Sequence, residues 1–198
     1  VTGRGVAISD PSVANVPVTQ AIVGNFYQIY SLGSTTQAQW NTLAGTSSVT
    51  YAVGSTFVAQ GAGAGTGVIF DPAIPTVAAC VTVTDERFIV AFGCNDYFTS
   101  SPTIQDPMFI AWSDQENPQV WYPRTTNQAG NFRLTYGSKI ITIERTRQEI
   151  IVWTDTALYS MQFIGAPYVY SFNPISVDIT IVSQNCMATA GGITYWMG

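Results

Sequence analysis

Short runs of β-favouring residues, separated by turn residues, constrain this chain more than any other feature. The runs are rich in Val, Ile, Thr, Tyr and Phe, and no long segment shows the apolar spacing of an amphipathic helix. The sequence therefore predicts an all-β fold in which helix is a minor element. The predicted strands are Val16–Val23, Phe26–Leu32, Ser55–Ala59, Val77–Thr84, Arg87–Phe92, Met108–Trp112, Lys139–Glu144, Glu149–Trp153 and Leu158–Phe163.

A tryptophan-containing pattern recurs in the second part of the chain. Residues 109–114 (FIAWSD) and 150–155 (IIVWTD) match, and residues 193–198 (ITYWMG) repeat part of the pattern. The tryptophans are 41 and then 43 residues apart. A period of roughly 40–45 residues built from short strands is typical of propeller blades, which bury one another's aromatic residues. We expect Trp112, Trp153 and Trp196 to occupy equivalent positions in successive blades; a β-sandwich with chance spacing is the alternative.

Charged residues divide the chain into two parts, because residues 11–70 contain none. We predict a small, uncharged, Gly/Thr-rich β module over residues 1–70, projecting from a partial β-propeller-like domain over residues 71–198. The run GAGAGTG at 61–67 lacks the Lys-Ser/Thr pair of a phosphate-binding loop. We expect it to form a flexible hairpin tip or linker.

The sequence contains no histidine, which removes Ser-His-Asp and Cys-His catalysis and most catalytic zinc sites. We therefore predict no enzymatic activity and no catalytic, cofactor-binding or metal-binding residues. A glycoside hydrolase needs only two carboxylates, and the close pairs are Asp114 with Glu116 and Asp85 with Glu86. Residues 113–118 (SDQENP) have the composition of a turn, which is the preferred interpretation.

Two further groups of side chains have a functional alternative to a structural role. An acidic group offers oxygen ligands for calcium but lacks regular spacing; it comprises Asp96, Asp106, Asp114 and Glu116. An aromatic group offers ring faces for stacking on sugars or on a partner protein; it comprises Tyr97, Phe98, Trp121 and Tyr122. For Trp121 we expect packing in the core or between blades.

The net charge is −5 with seven basic residues, too few to neutralise a run of nucleic-acid phosphates. Five of the basic residues fall between positions 124 and 147: Arg124, Arg133, Lys139, Arg145 and Arg147. We expect them to lie on a solvated loop and strand face; the alternative is that they contact an acidic partner. The odd cysteine count predicts free thiols rather than a disulfide framework; the cysteines are Cys80, Cys94 and Cys186.

No apolar stretch reaches the length of a membrane helix, so we predict no membrane span. The last residues, ITYWM before Gly198, read like the interior of a strand. We therefore expect the 198 residues to belong to a longer polypeptide.

Several long segments resemble one family, the tail nozzle proteins of short-tailed bacteriophages, also called tail hub, tail tubular or DNA-stabilisation proteins. The segments are FIVAFGCNDY (88–97), PMFIAWSDQENPQVWYP (107–123), NQAGNFRLTYGSKII (127–141) and TRQEIIVWTDTALYSMQFIGAPYVYSF (146–172). The resemblance covers residues 77–198. Residues 11–70 resemble a small β module found inserted in many phage structural proteins, on shorter and less specific strings.

The resemblance implies a non-enzymatic structural virion protein of the phage tail, with a propeller-like domain. It implies a homo-oligomer, a hexameric ring that contacts the portal adaptor protein and tail fibre or spike proteins, with DNA only as passing cargo. The alternative function is a carbohydrate-binding or receptor-binding β-propeller module of a tail or extracellular protein. No cofactor is expected in either case.

Overall fold

A computed structural model describes residues 15–198 of the chain. Residues 1–14, which the sequence assigns to the first module, lie outside the described residues. The described part consists mainly of short strands in four small antiparallel sheets, with one short α-helix, so the all-β prediction is confirmed. No helix among residues 15–198 is long and apolar enough to cross a membrane.

The first sheet has the order β1-β4-β2-β3, and every neighbouring pair is antiparallel. Its strands are β1 (Val16–Pro17), β2 (Phe26–Ser31), β3 (Thr56–Val58) and β4 (Val68–Phe70). Helix α1 (Gln37–Ala44) lies between β2 and β3 in the chain. A capping box between Thr36 and Gln39 begins the helix, and Gly45 ends it in the left-handed conformation that glycine adopts without strain.

This first sheet and α1 enclose a hydrophobic core of their own. The core is drawn from residues 16–69, and Trp40, Leu43 and Ile69 are fully buried in it. Because each such side chain leaves water completely, it contributes roughly 1.5–3 kcal/mol to stability. The assignment of residues 1–70 as a separate domain stays a prediction.

The glycine run is a packed segment, so the expected flexible tip or linker is wrong. A Cβ on Gly63 would lie 1.9 Å from the Val18 carbonyl oxygen, and a Cβ on Gly67 would lie 2.6 Å from the Trp40 ring. The Gly67 N–H donates a 2.9 Å hydrogen bond to Thr35 Oγ1. The run therefore lets the backbone approach β1 and α1 closely, which is why alternate positions of the run are glycine.

Two four-stranded sheets follow, each a simple antiparallel meander in chain order. The second sheet contains β5 (Cys80–Val83), β6 (Ile89–Phe92), β7 (Phe109–Trp112) and β8 (Gly130–Arg133). The third sheet contains β9 (Ile140–Arg145), β10 (Ile150–Thr154), β11 (Ala157–Gly165) and β12 (Val169–Val177).

The second and third sheets pack face to face around the largest core of the molecule. Alternate residues of β6, such as Val90 and Phe92, meet alternate residues of β10, such as Val152, and all three are fully buried. Equivalent strands lie opposite one another. Arg145 on β9 donates a hydrogen bond to the Val83 carbonyl oxygen on β5, and the last strands β8 and β12 are joined by stacked phenylalanine rings. This stacking of antiparallel sheets is the arrangement of successive propeller blades.

A two-stranded sheet covers part of the outer face of the third sheet. It is formed by β13 (Met187–Ala190) and β14 (Ile193–Trp196). Trp196 on β14 meets Trp153 on β10 edge to face, with ring centroids 6.0 Å apart. The fold is thus a partial, propeller-like stack of two complete sheets and one hairpin.

The tryptophan repeat marks equivalent positions in only two of its three members. Trp153 and Trp196 lie on the second strands of their sheets and contact each other, whereas Trp112 lies on β7, a third strand. The expectation for Trp112 is wrong because the match is local. Both FIAWSD and IIVWTD are buried strands followed by a turn, and this pattern does not encode strand order.

Asp71 lies where the first sheet leads into the propeller-like stack. Its carboxylate is 2% exposed and accepts backbone hydrogen bonds from Ala73 at 2.9 Å, Trp121 at 2.7 Å and Tyr122 at 2.9 Å. Nearby, the rings of Phe26 and Tyr122 have centroids 4.4 Å apart. Burial raises the pKa of the Asp71 carboxyl, and the three N–H donors offset part of this effect.

Candidate interaction surfaces

Three of the four carboxylates considered as catalytic pairs have structural partners. Glu116 forms a 2.5 Å ion pair with Arg87, and Asp85 forms a 2.7 Å ion pair with Arg145. Asp114 accepts a 2.8 Å hydrogen bond from the Gln128 N–H and starts a turn closed by its bridge to Asn117. The expected SDQENP turn is present.

The acidic residues considered for calcium are dispersed. Asp106 pairs with Arg133 at 2.7 Å, and Asp96 accepts the Phe98 N–H at 2.8 Å within its own loop. Among residues 15–198, no three His, Cys, Asp or Glu side chains come close enough to hold a metal ion.

Three of the four aromatic residues predicted as stacking candidates gather at the junction below the first sheet. Tyr97, Phe98 and Tyr122 contact one another, and Phe26 from β2 joins them. Trp121 is buried to 2% exposure, and its indole N–H donates to the Pro118 carbonyl oxygen. The cluster joins the two parts of the molecule, and Phe98 is the member that remains largely exposed.

A more open surface lies between two other segments, and we call it the aromatic groove. One wall is the segment from residue 123 to β8, and the other is the tip of the β11–β12 hairpin. The groove has a volume of about 1010 Å³. Sequence reasoning missed it because its walls are 30 or more residues apart and the strand β12 was not predicted.

Aromatic rings line much of this groove. Phe132 on β8 and Phe172 on β12 stack with parallel planes 4.5 Å apart between centroids, and Trp112 lies beside Phe172. Tyr168, at the hairpin tip, is 76% exposed. Gly130 permits this arrangement, because a Cβ there would lie 2.3 Å from the Trp112 ring.

The rest of the lining is almost free of charge. Arg124 is the only charged residue among those that line the aromatic groove. Its backbone N–H donates to Asn127 Oδ1 at 3.0 Å, which holds the loop, but its guanidinium forms no salt bridge with any residue in the described range 15–198. The uncharged polar residues of the lining are Thr125, Asn127, Gln128, Asn131 and Ser171.

The basic residues between positions 124 and 147 do not form one patch directed at a single partner. Arg133 and Arg145 are neutralised by acids on neighbouring loops, while Arg147 lines a separate groove beside β13 and β14. The solvated-face interpretation accounts for these positions better than a site for an acidic macromolecule.

The cysteines are free thiols, as the sequence indicates. Burial raises the pKa of Cys94 to about 12, and burial also raises the pKa of Cys80. A thiol with so high a pKa is almost entirely protonated at neutral pH, which makes Cys94 a core residue rather than a nucleophile.

No protein-family model matches this sequence, and a search of curated proteins likewise found no match.

Proposed function

We propose that the chain is a structural virion protein, a wall component of the tail nozzle of a short-tailed phage through which DNA is ejected. The segments that resemble nozzle proteins coincide with the strands of the two stacked sheets, for example residues 146–172 with β10, β11 and the first part of β12. In this proposal they are scaffold, and the loops and outer strands make the contacts with neighbouring subunits, the portal adaptor and the tail fibre or spike proteins.

Exposed apolar side chains are the main structural support for an assembly role. On the face of the β13–β14 hairpin that points away from Trp153, Ile193 is 57% and Tyr195 is 59% exposed. Residues 179–198 carry no charge. An uncharged apolar face of this kind is typical of surfaces that become buried between subunits.

The charge balance fits passage of DNA through a channel. The chain has seven basic residues, and three of them are already paired with acids in the described range. A wall with few free cations offers phosphates little electrostatic adhesion.

Assembly is testable with the longest natural polypeptide that contains this sequence. Native mass spectrometry and negative-stain electron microscopy should show closed rings, and antibodies to residues 15–198 should label phage tails. Ile193→Arg should prevent ring formation, whereas Val53→Arg, at a 63% exposed position of the first module, serves as the matched control. Monomers at micromolar concentration, together with absence from purified tails, would reject the proposal.

The aromatic groove favours a second candidate function, carbohydrate binding. Exposed rings beside uncharged polar groups are the combination with which proteins hold sugar rings and their hydroxyl groups. Binding of the isolated chain to a glycan array would support this function independently of ring assembly.

A further inference from the structure

The first strands of the successive sheets lie in line through the molecule. Arg145 on β9 donates a hydrogen bond to the Val83 carbonyl oxygen on β5. The Cys80 thiol on β5 lies 3.9 Å from the Ile141 carbonyl oxygen on β9. On the other side of the third sheet, Met187 on β13 packs against the same buried cluster as Ile141. The series β5, β9, β13 therefore repeats one stacking relation twice within a single chain.

One end of this stack is an apolar strip on β5, formed by Val81 and Val83, which we call the valine strip. Because side chains alternate along a strand, Cys80 packs toward the third sheet whereas the two valines point away from it. Val81 is 49% and Val83 is 52% exposed. On the neighbouring strand β6 the same face is covered, since Ala91 is buried in one cluster with Trp121. The valine strip is thus the part of this face that residues 15–198 leave open.

The other end of the stack is the outer face of the β13–β14 hairpin, and its shape suits the valine strip. Small side chains on β13 lie directly opposite large ones on β14, and all four are exposed on one face; the pairs are Ala188 with Tyr195 and Ala190 with Ile193. Small residues beside large ones leave a shallow step along β13 into which the side chains of another strand fit. Residues 72–84 and 179–198 contain no charged side chain, so the two faces can pack together without burying an unpaired charge.

Stacks of repeating units normally end in polar outer faces, which keep the ends soluble. Both ends of this stack are apolar instead. Because β9 lies on β5 and β13 lies on β9, the strand that continues the series over β13 is another β5. We propose that the valine strip of one copy packs on the outer face of the β13–β14 hairpin of the next copy. This inference rests on the proposed ring assembly and adds the two surfaces that meet.

An exchange of charges between the two surfaces tests the contact. Arg145 lies beside both Val83 and the hairpin tip at Gly192, so Val83 and Ile193 lie at the same end of the stack. In the longest natural polypeptide, Val83→Glu and Ile193→Arg should each weaken ring formation on the order of a hundredfold, because each buries an unpaired charge. The double variant should recover roughly tenfold or more, because the two opposite charges become neighbours.

A matched control separates this recovery from a general effect of charge. Val53→Glu combined with Ile193→Arg introduces the same two charges but places the acid on the first module, at a 63% exposed position, so assembly should not recover. Analytical ultracentrifugation over a concentration series measures assembly. Urea titration of the separated subunits verifies that each variant is folded.

Four results overturn the proposal. Rings that tolerate Val83→Glu but not Ile193→Arg would leave the proposed function in place and move the partner surface elsewhere. Loss of assembly in both single variants without recovery in the double variant would show that the two surfaces do not meet. A lower urea midpoint of the Ile193→Arg subunit with unchanged rings would show that the hairpin face is covered within one polypeptide. A wild-type polypeptide that stays monomeric would reject both the ring and this contact.

Discussion

Replacing Asp71 by Asn tests whether the buried carboxylate joins the first module to the propeller-like stack. Oδ1 accepts the Ala73 N–H, and Oδ2 accepts the N–H groups of Trp121 and Tyr122. An asparagine has one acceptor oxygen and one amide group that only donates. In its better orientation the new side chain leaves one buried N–H unpaired, and in the other orientation it leaves two.

The cost follows from the number of donors left without an acceptor. A buried unpaired donor costs about 1–3 kcal/mol, and the remaining hydrogen bonds weaken when the acceptor loses its charge. Relief from burying a carboxylate offsets much of this loss, because burial outweighs the three hydrogen bonds in its effect on the Asp71 pKa. We therefore expect Asp71→Asn to lower the free energy of unfolding by about 1–2 kcal/mol. With a urea m-value of about 2 kcal/mol/M, the midpoint should fall by about 0.5–1 M.

Urea titration followed by tryptophan fluorescence measures this shift, and Trp121 reports directly on the Asp71 contact. Asp96→Asn is the matched control, because Asp96 makes the same local hydrogen bond to the N–H two residues later but accepts none from a distant segment. Its midpoint should move by less than about 0.3 M. If both variants shift equally, the long-range hydrogen bonds of Asp71 do not contribute and our account of the junction is wrong.

Three further predictions concern buried groups, beginning with Asp71 itself. The pKa of the Asp71 carboxyl is higher in the folded protein than its ordinary value of 3.8, so the folded state holds this proton more tightly than the unfolded state does. The stability of the wild type relative to Asp71→Asn should therefore fall as pH rises from about 4 through the folded pKa. A difference in urea midpoints that rises with pH would contradict this. Gly63→Ala should lower the free energy of unfolding by about 1–3 kcal/mol, because its Cβ would meet the Val18 carbonyl oxygen. Gly61→Ala is the control, since its Cβ would lie 3.2 Å from its nearest neighbour, and it should cost much less in the same urea titration. Cys94 should resist iodoacetamide at pH 8 until urea unfolds the protein, as read by peptide mass spectrometry, because the thiol is buried and its pKa is about 12; rapid native labelling would show that the core opens.

The strands were predictable wherever β-branched and aromatic residues cluster between turn residues. The predicted Phe26–Leu32 and Ser55–Ala59 correspond to β2 and β3, and eight of the nine predicted runs differ from the observed strands by no more than three residues at either end. The exception is Val16–Val23, where β1 is short and a 3-10 turn follows.

Strand β12 and helix α1 were missed for different physical reasons. In β12, Pro174 and the nearby irregularity in pairing with β11 interrupt the alternation that predicts a strand. Pro174 is tolerated because β12 is the edge of its sheet. Helix α1 is too short to show a convincing period, although Thr36, Gln39 and Gly45 carry the capping signals that locate it.

The groove was unpredictable because it depends on which strands become neighbours. Phe132 and Phe172 are far apart in the sequence, and nothing in either local pattern indicates that β8 and β12 are stacked. Arg124 likewise looked like one member of a basic run. Arg133 and Arg145 are paired with acids, whereas Arg124 forms no salt bridge within residues 15–198 and is one of the residues that line the groove.

The two ends of the sheet stack differ, and this difference bears on how copies could assemble. On β6 and β7, the outer face of the second sheet is covered by the chain itself, since Ala91 and Phe109 pack against Ile74 and Trp121. At the other end, the outer face of the β13–β14 hairpin leaves Ile193 and Tyr195 exposed.

Two unlike ends suit a head-to-tail contact better than a symmetric dimer of identical faces, and a head-to-tail contact is the kind that closes into a ring. A crosslink from Tyr195 of one copy to a segment other than β13–β14 of the next is therefore the expected result. Crosslinks exclusively between equivalent hairpins would indicate a two-fold dimer and contradict the ring.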